Sequence, residues 1–479
     1  MPRSQNQYHQ YHRPGLSLDG DYEERSSYDP NHAIITEPHD HPAHPHQPEC
    51  PCASPQAAPQ TTKPPSLPFS PSLPKTFEHV LGLNTMSVVE SHAEGEACDV
   101  VIGGFKSTRG RTMYGRLMNF RNEHNQRVNL LLNEPRGRNG KNAIFLLKPI
   151  AHGSERCLVM VKNDAYVPFS VSSIICATNV LAELPHAGGP MPRVPFQRYV
   201  FETGAGKIMA EASFTKTLEL RYRCDSVTIY CVPSFVLELG YEVMVPGFGS
   251  LKVDIAFGGV FCAFVDVKSV RLRIQSDQGE KLVEAGERIR RALADCGLEV
   301  VHPKDYSIRG ISNIVFIERI GKDGAQKVGL SATVLSPGRL DRSPSGTSTC
   351  AWLAVQHCRG QIASETFRSY SLLGTQFFGR VRGELRVGRY NAIYTSIQGR
   401  AWITGFKQVA LDPTDPFAMG FRGADQWGPI TDKEEDKQED LVGLGIQFDS
   451  IELHTGVTSG RKFQQAHWES ANNALGETF

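Results

Sequence analysis

Short apolar runs broken by turn residues set the rhythm of this chain. "RVNLLLNE" (127–134), "NAIFLLKP" (142–149), "RCLVMVKN" (156–163), "SVTIYCVPSFV" (226–236), "GSLKVDIAFGGVFCAFVDV" (249–267) and "NIVFIERI" (313–320) are apolar or alternating and bounded by Gly, Pro, Asn or Asp, which predicts strands. Helical spacing is rarer. In "DQGEKLVEAGERIRRALADCG" (277–297), Asp277 with Glu280 reads as a capping box. Leu282, Ile289, Leu293 and Cys296 share one face, and Gly297 ends the helix, which predicts an amphipathic outer helix.

Two further helices begin alike. "VPFSVSSIICATNVLAELP" (167–185) and "RSPSGTSTCAWLAVQHCRG" (342–360) each run from a proline through serine and small polar residues into an apolar helix. Asp341, Ser343 and Pro344 are turn and helix-start residues, and Ala351, Leu353, Ala354 and Val355 predict burial of the helix that follows. A weak internal repeat of this kind suggests two lobes of one architecture, each offering a helix N-terminus. Bare N–H groups and a positive dipole end make each start a ready anion site, and if the lobes face each other, Ser170 and Ser345 flank one pocket.

Composition changes at both ends. Residues 1–75 are rich in Pro, His, Ser and Gln and predict a disordered tail. Its "EPHDHPAHPHQPECPC" places His39, His41, His44 and His46 near Cys50 and Cys52, but the prolines interrupt any regular ligand geometry, so no metal site is expected there. From 426 to 479 a charged extension follows, with the solvated run "ITDKEEDKQED". Between the tails, residues 76–205 form the expected first lobe, completed by about 400–425, and residues 206–399 the second.

The chain's 51 basic and 51 acidic residues balance, so nothing in the charge asks for nucleic acid or an anionic membrane. Eleven cysteines, scattered apart from Cys50 and Cys52, show neither a disulfide framework nor zinc spacing. With no secretory signal and no apolar run of about 20 residues, a soluble cytoplasmic protein is expected.

Seven segments in register resemble the proline racemase family: "ESHAEGEACDVVIGG", "NEPRGRNG", "YVPFSVSSIICATNVLAE", "VPSFV", "VDIAFGGVFCAFVD", "DRSPSGTSTCAWLAVQHCRGQI" and "SIQGRAWITGFKQVALDPTDPF", covering roughly residues 85–421. That family holds proline racemase, 4-hydroxyproline 2-epimerase and trans-3-hydroxy-L-proline dehydratase. The resemblance implies an α/β fold of two pseudo-symmetric lobes, each a strand-rich half-barrel around a central helix, diaminopimelate-epimerase-like, with the site in the cleft between. It implies no cofactor, whether pyridoxal phosphate, metal or nicotinamide, a small imino acid as ligand, and a homodimer.

In family racemases a cysteine opens each central helix, one on either face of the substrate Cα. Here Ser170 and Ser345 stand at those positions. The residues that follow them, Val171 and Ser172 in the first helix and Gly346 and Thr347 in the second, would hold the substrate carboxylate through the helix-start N–H groups. Val171 stands where the family has glycine and Ser172 where it has histidine, while Asp341, the family's contact to the ring nitrogen, is retained.

Serine alters the chemistry. A helix dipole contributes at most about 2 kcal/mol, worth about one and a half pH units, which cannot make a serine alkoxide at neutral pH. Two-base racemisation is therefore disfavoured against dehydration of trans-3-hydroxy-L-proline, which needs one base and one donor. Proline racemisation or hydroxyproline 2-epimerisation is the alternative, and a non-catalytic homologue that binds an amino acid or acts as a scaffold is the third. Cys176 and Cys350, deeper in the same helices, read as buried small hydrophobes. His92 is as readily structural as functional, and Gly103, Gly104, Gly258 and Gly259 read as turn or bulge residues.

Overall fold

A computed structural model of the protein describes residues 84–423, apart from 107, 163–164, 185–194, 217–221, 324–325 and 337. The expected tail 1–75, with its histidines and Cys50 and Cys52, and the extension 426–479 lie outside these residues.

The described residues fold into two lobes of mixed α/β structure, each a strand-rich half-barrel around a central helix. In the first, strands Asn84–Ala93, Glu96–Gly103, Asn142–Leu147, Arg156–Lys162, Phe196–Thr203, Gly206–Lys216 and Tyr222–Tyr230 pair in that succession. Strand Tyr390–Gly399 pairs with Tyr222–Tyr230 and runs on as Ala401–Leu411, which pairs with Asn84–Ala93 and closes the ring. The expected lobe break at residue 205 falls in the hairpin joining Phe196–Thr203 to Gly206–Lys216. In the second lobe, strands Ser234–Val245, Gly249–Phe257, Phe261–Asp266, Asn313–Asp323, Gln326–Leu335, Phe367–Tyr370, Gln376–Val387 and Tyr390–Gly399 pair in turn, and the last returns to the first.

Four α-helices occur among the described residues, two per lobe. Helix α1 (Met113–Leu132) and helix α3 (Gly279–Asp295) lie outside the rings; helix α2 (Val171–Glu183) and helix α4 (Gly346–Cys358) lie within them.

Helix α1 corrects the sequence reading, since "RVNLLLNE" is its last two turns rather than a strand. Thr112 caps it by accepting the Gly115 N–H at 3.1 Å, and Leu117, Phe120, His124, Val128 and Leu131 recur every three or four residues along its buried face. The apolar cluster at its end hid that longer period. Phe120 packs on Phe145 of the adjacent strand with ring centroids 4.8 Å apart.

Helix α3 buries Leu282, Ile289 and Leu293 as expected, together with Ala285, and Gly297 follows it with φ +75°. Two details differ from the sequence reading. Asp277 lies in a short 3-10 turn before the helix, and the N-cap residue Gln278 makes no side-chain capping bond, its amide oxygen instead accepting the Arg273 N–H. Cys296, one residue past the helix, is exposed.

The central helices are 13 residues each, matching the repeat in sequence. Every residue of α2 from Val171 to Ala182 is buried, because strands surround it; an apolar circumference is stable only in such an enclosure. Ile174, Ile175, Val180 and Leu181 alone contribute about 6–12 kcal/mol of transfer free energy, an upper bound against a compact unfolded chain. Helix α4 buries Ala351, Leu353, Ala354 and Val355 in the same way.

Candidate active site

The two central helices meet at their N-termini. A Cβ placed on Gly346, the first residue of α4, would lie 2.6 and 2.7 Å from the two γ-carbons of Val171, the first residue of α2, and closer still to its Cβ. The positions that follow Ser170 and Ser345 are therefore in van der Waals contact. Both serines are almost fully buried, as are Val171, Ser172, Asp341 and Gly346, while Thr347 is half-buried. Phe169 and the Thr347 methyl group both cover Gly259, and the Thr347 carbonyl abuts Gly258.

The helix starts differ in detail. Ser170 is an extended N-cap whose hydroxyl accepts the Ser173 N–H at 3.4 Å and lies 2.9 Å from Ser173 Oγ and 3.5 Å from Ser172 Oγ. Ser345 occupies the N-cap position of α4 without capping: φ is +57°, ψ is 101°, and its hydroxyl donates to Ser348 Oγ at 2.9 Å. A non-glycine residue in that region carries about 1–3 kcal/mol of strain, and such strain clusters at functional sites. The turn before it supplies the constraint. Asp341 Oδ1 accepts from the Ser343 N–H at 2.9 Å and the Ser343 hydroxyl at 2.8 Å, and Ser343 Oγ accepts the Ser345 N–H at 3.2 Å.

A serine three residues into each helix therefore orients the hydroxyl at its start. Ser348 Oγ is itself held by Asn313 Nδ2 at 3.2 Å and Thr333 Oγ1 at 3.4 Å, with Cys262 Sγ 3.8 Å away; Ser173 lies beside the Cys98 thiol. Sequence reasoning missed Ser173 and Ser348, although both repeats carry serine at the same offset. Burial pushes the thiols of Cys98 and Cys262 up, Cys262 to about 12, so neither is a base near neutral pH. Cys176 and Cys350 are fully buried beside Cys98 and Cys231, as small core residues.

Asp341 is different. Burial pushes its carboxyl up, and the Glu96 charge adds to this; Lys162, Arg339 and the Ser343 hydroxyl oppose it, leaving the group at about 6. Glu96 comes from the first lobe. Burial alone would raise its carboxyl, but Arg339 and Lys162 with the hydrogen bonds it accepts hold it at about 2. Its Oε1 accepts from Arg339 Nη2 at 2.6 Å and Asn142 Nδ2 at 2.8 Å, and its Oε2 accepts the Arg342 N–H at 2.9 Å. His92 bonds to none of these groups: its Nδ1 accepts the Gly95 N–H at 3.2 Å, and its ring stacks on Trp402 with centroids 5.1 Å apart.

The family model for proline racemase matches residues 88–422, which contain both helix starts, Asp341 and both lobes. The chain belongs to the proline racemase family. Among curated relatives, 4-hydroxyproline 2-epimerase 1 of Rhizobium rhizogenes is 35% identical over 350 residues, covering 72% of this chain and 97% of the relative. The 4-hydroxyproline 2-epimerase of Rhizobium etli is 34% identical with the same coverage.

Two solved structures are similar throughout the two lobes. A hydroxyproline epimerase from Agrobacterium vitis, with bound trans-4-hydroxy-L-proline, has a TM-score of 0.63 at 33% identity, covering 72% of this chain and 97% of its own. A probable proline racemase from Agrobacterium radiobacter, with bound carbonate, has a TM-score of 0.63 at 34% identity, covering 72% of this chain and 98% of its own. This member of the proline racemase family carries no helix long and apolar enough to cross a membrane among its described residues.

Proposed function

We propose that the protein dehydrates trans-3-hydroxy-L-proline to a pyrroline-2-carboxylate by one-sided proton removal. The observation that carries this reading is the asymmetry of titratable groups at the abutting helix starts. The hydroxyls of Ser170 and Ser345 bond to other serines and backbone, while Asp341 is the group beside them whose charge changes near neutral pH. One acid–base group suits elimination; inversion needs one on each face.

The substrate carboxylate lies against the N–H groups of Val171 and Ser172 in α2 and of Gly346 and Thr347 in α4, where the two dipoles converge. The Asp341 carboxylate sits at the ring nitrogen, one bond from Cα, and takes the α-proton. The C3–O bond breaks as a serine hydroxyl passes its proton to the departing oxygen and regains one from the Asp341 carboxyl, which holds the proton taken from Cα, so water leaves and the C2–C3 enamine rearranges to the cyclic imine. Low dielectric around these buried groups strengthens each contact.

Hydroxyproline 2-epimerisation is the second reading, favoured by relatives of that name at about 35% identity. Proton NMR of the full chain in D2O with L-proline, D-proline, trans-4-hydroxy-L-proline and trans-3-hydroxy-L-proline separates the two. Conversion of the 3-hydroxy compound to an imine, without Cα deuteration of the others, is the expected result. Cα deuteration with inversion of the 4-hydroxy compound would establish epimerisation instead, and silence with all four would leave a binding protein.

A further inference from the structure

We infer that Glu96 is a positioning residue for Asp341, a carboxylate lent by the first lobe that grips the second lobe's substrate-contacting turn. This deepens the proposed function and rests on its placement of Asp341 at the substrate. Glu96 is a charged residue only 1% exposed, and it accepts three hydrogen bonds. One, from Asn142, anchors it in its own lobe. The other two, from the Arg339 guanidinium and the Arg342 amide, bracket Asp341 on either side in sequence.

Arg339 is tied further by donating to the Leu340 carbonyl and to Asn142 Oδ1, both at 3.3 Å. With 339 and 342 pinned, the turn has no freedom to rotate Asp341 away from Ser343, and Ser343 in turn fixes the Ser345 amide. The path from the first lobe to the start of α4 therefore runs through hydrogen bonds joined by the short backbone of the turn itself. An ion pair serving stability alone could sit anywhere between lobes, and a hydrophobic pair would serve as well. Both of its second-lobe contacts fall within two residues of Asp341.

Glu96 acts on charge as well as position. The groups facing Asp341 are Glu96 and Lys162 from the first lobe and Arg339 from its own. Neutralising Glu96 removes the like charge and frees Arg339 to favour the ionised Asp341, so Asp341 ionises at lower pH.

The test uses the full chain carrying Glu96→Gln or Glu96→Asp, with Asp341→Asn as reference. Thermal unfolding is followed from pH 4 to 8, and hydroxyproline turnover over the same range. The wild type loses stability relative to Asp341→Asn as pH rises through Asp341 ionisation. Glu96→Gln is expected to move that midpoint down by about one pH unit, a tenfold change in proton affinity, and Glu96→Asp to keep it within half a unit. A cooperative Glu96→Gln melt with an unmoved midpoint would reduce Glu96 to a structural clasp and overturn the inference.

Should Glu96→Gln not fold, Glu96→Asp carries the test. Its shortened grip is expected to lower kcat at least tenfold with KM within threefold, and unchanged kcat refutes positioning. If the wild type turns over no imino acid, the proposed function fails, while the unfolding midpoints still decide the coupling of Glu96 to Asp341.

Discussion

The contact between the helix starts predicts a strong coupling between positions 171 and 346. Replacing Gly346 with Ala puts a carbon 2.6 and 2.7 Å from the γ-carbons of Val171, where carbon pairs normally sit at about 3.5–4.0 Å. Val171 is buried at the first turn of an enclosed helix and has one strongly preferred rotamer there, so it cannot swing aside. Overpacking of this depth costs about 3 kcal/mol. The φ of Gly346 is not positive, so the backbone itself tolerates alanine, and the cost is all collision.

In a Val171→Gly background the collision disappears. Gly346→Ala should then be neutral, or stabilising by up to about 1 kcal/mol from helix propensity. The double-mutant cycle, measured by urea unfolding, should return a coupling of about 2–4 kcal/mol. Equal costs of Gly346→Ala in both backgrounds would show that the helix starts do not meet in solution, and would remove the basis for a shared anion site.

Other expectations follow from the same geometry. A carboxyl that ordinarily titrates at 3.8 and is raised to about 6 disfavours its ionised form by about 3 kcal/mol. Wild type and Asp341→Asn should be of similar stability near pH 3.5, and the variant should gain between pH 4 and 6 and stay about 3 kcal/mol more stable above that; a pH-independent difference in Tm would refute the buried carboxylate. Gly258→Ala should cost more than about 3 kcal/mol in denaturant titration, since its Cβ would meet the Thr347 carbonyl and the Ala351 amide, backbone atoms that cannot move independently. Iodoacetamide should label the exposed Cys296 and Cys358 by mass spectrometry without loss of hydroxyproline turnover; inactivation would implicate one of the buried thiols.

Much of the fold was legible in sequence because enclosed strands and central helices announce themselves by unbroken apolar runs. The repeat of Pro, Ser and small residues located both central helices, with Ser170 and Ser345 falling at the N-cap positions, one residue before each helix begins. "RVNLLLNE" misled because four apolar residues within five positions carry no period of their own; the helix shows only when Phe120 and His124 are counted with them. The capping box at Asp277 failed because Asp277 sits in the short 3-10 turn before the helix, and at the N-cap position the Gln278 amide oxygen accepts the Arg273 N–H five residues back, a choice no local pattern reveals.

At the site, Ser170, Ser345 and Asp341 were visible as helix-start and turn residues. What they bond to was not. Glu96 stands 245 residues from Asp341, and its role depends on which lobe faces which, so only the assembled molecule joins them. The positive φ of Ser345 was likewise hidden, since serine is an ordinary cap in sequence and here is held in an uncommon conformation by the preceding turn.

The pairing of strand Asn84–Ala93 with Ala401–Leu411 has a consequence for synthesis. A nascent chain releases the opening strand of the first lobe roughly half a minute before its closing partner, at translation rates of about 5–20 residues per second. The second lobe's ring, from Ser234 to Gly399, can shut as soon as residue 399 clears the ribosome, whereas the first must wait with the apolar sides of α2 uncovered. The lobe begun first is thus finished last, and ribosome stalling anywhere between 234 and 401 leaves α2 as the surface a chaperone would have to guard.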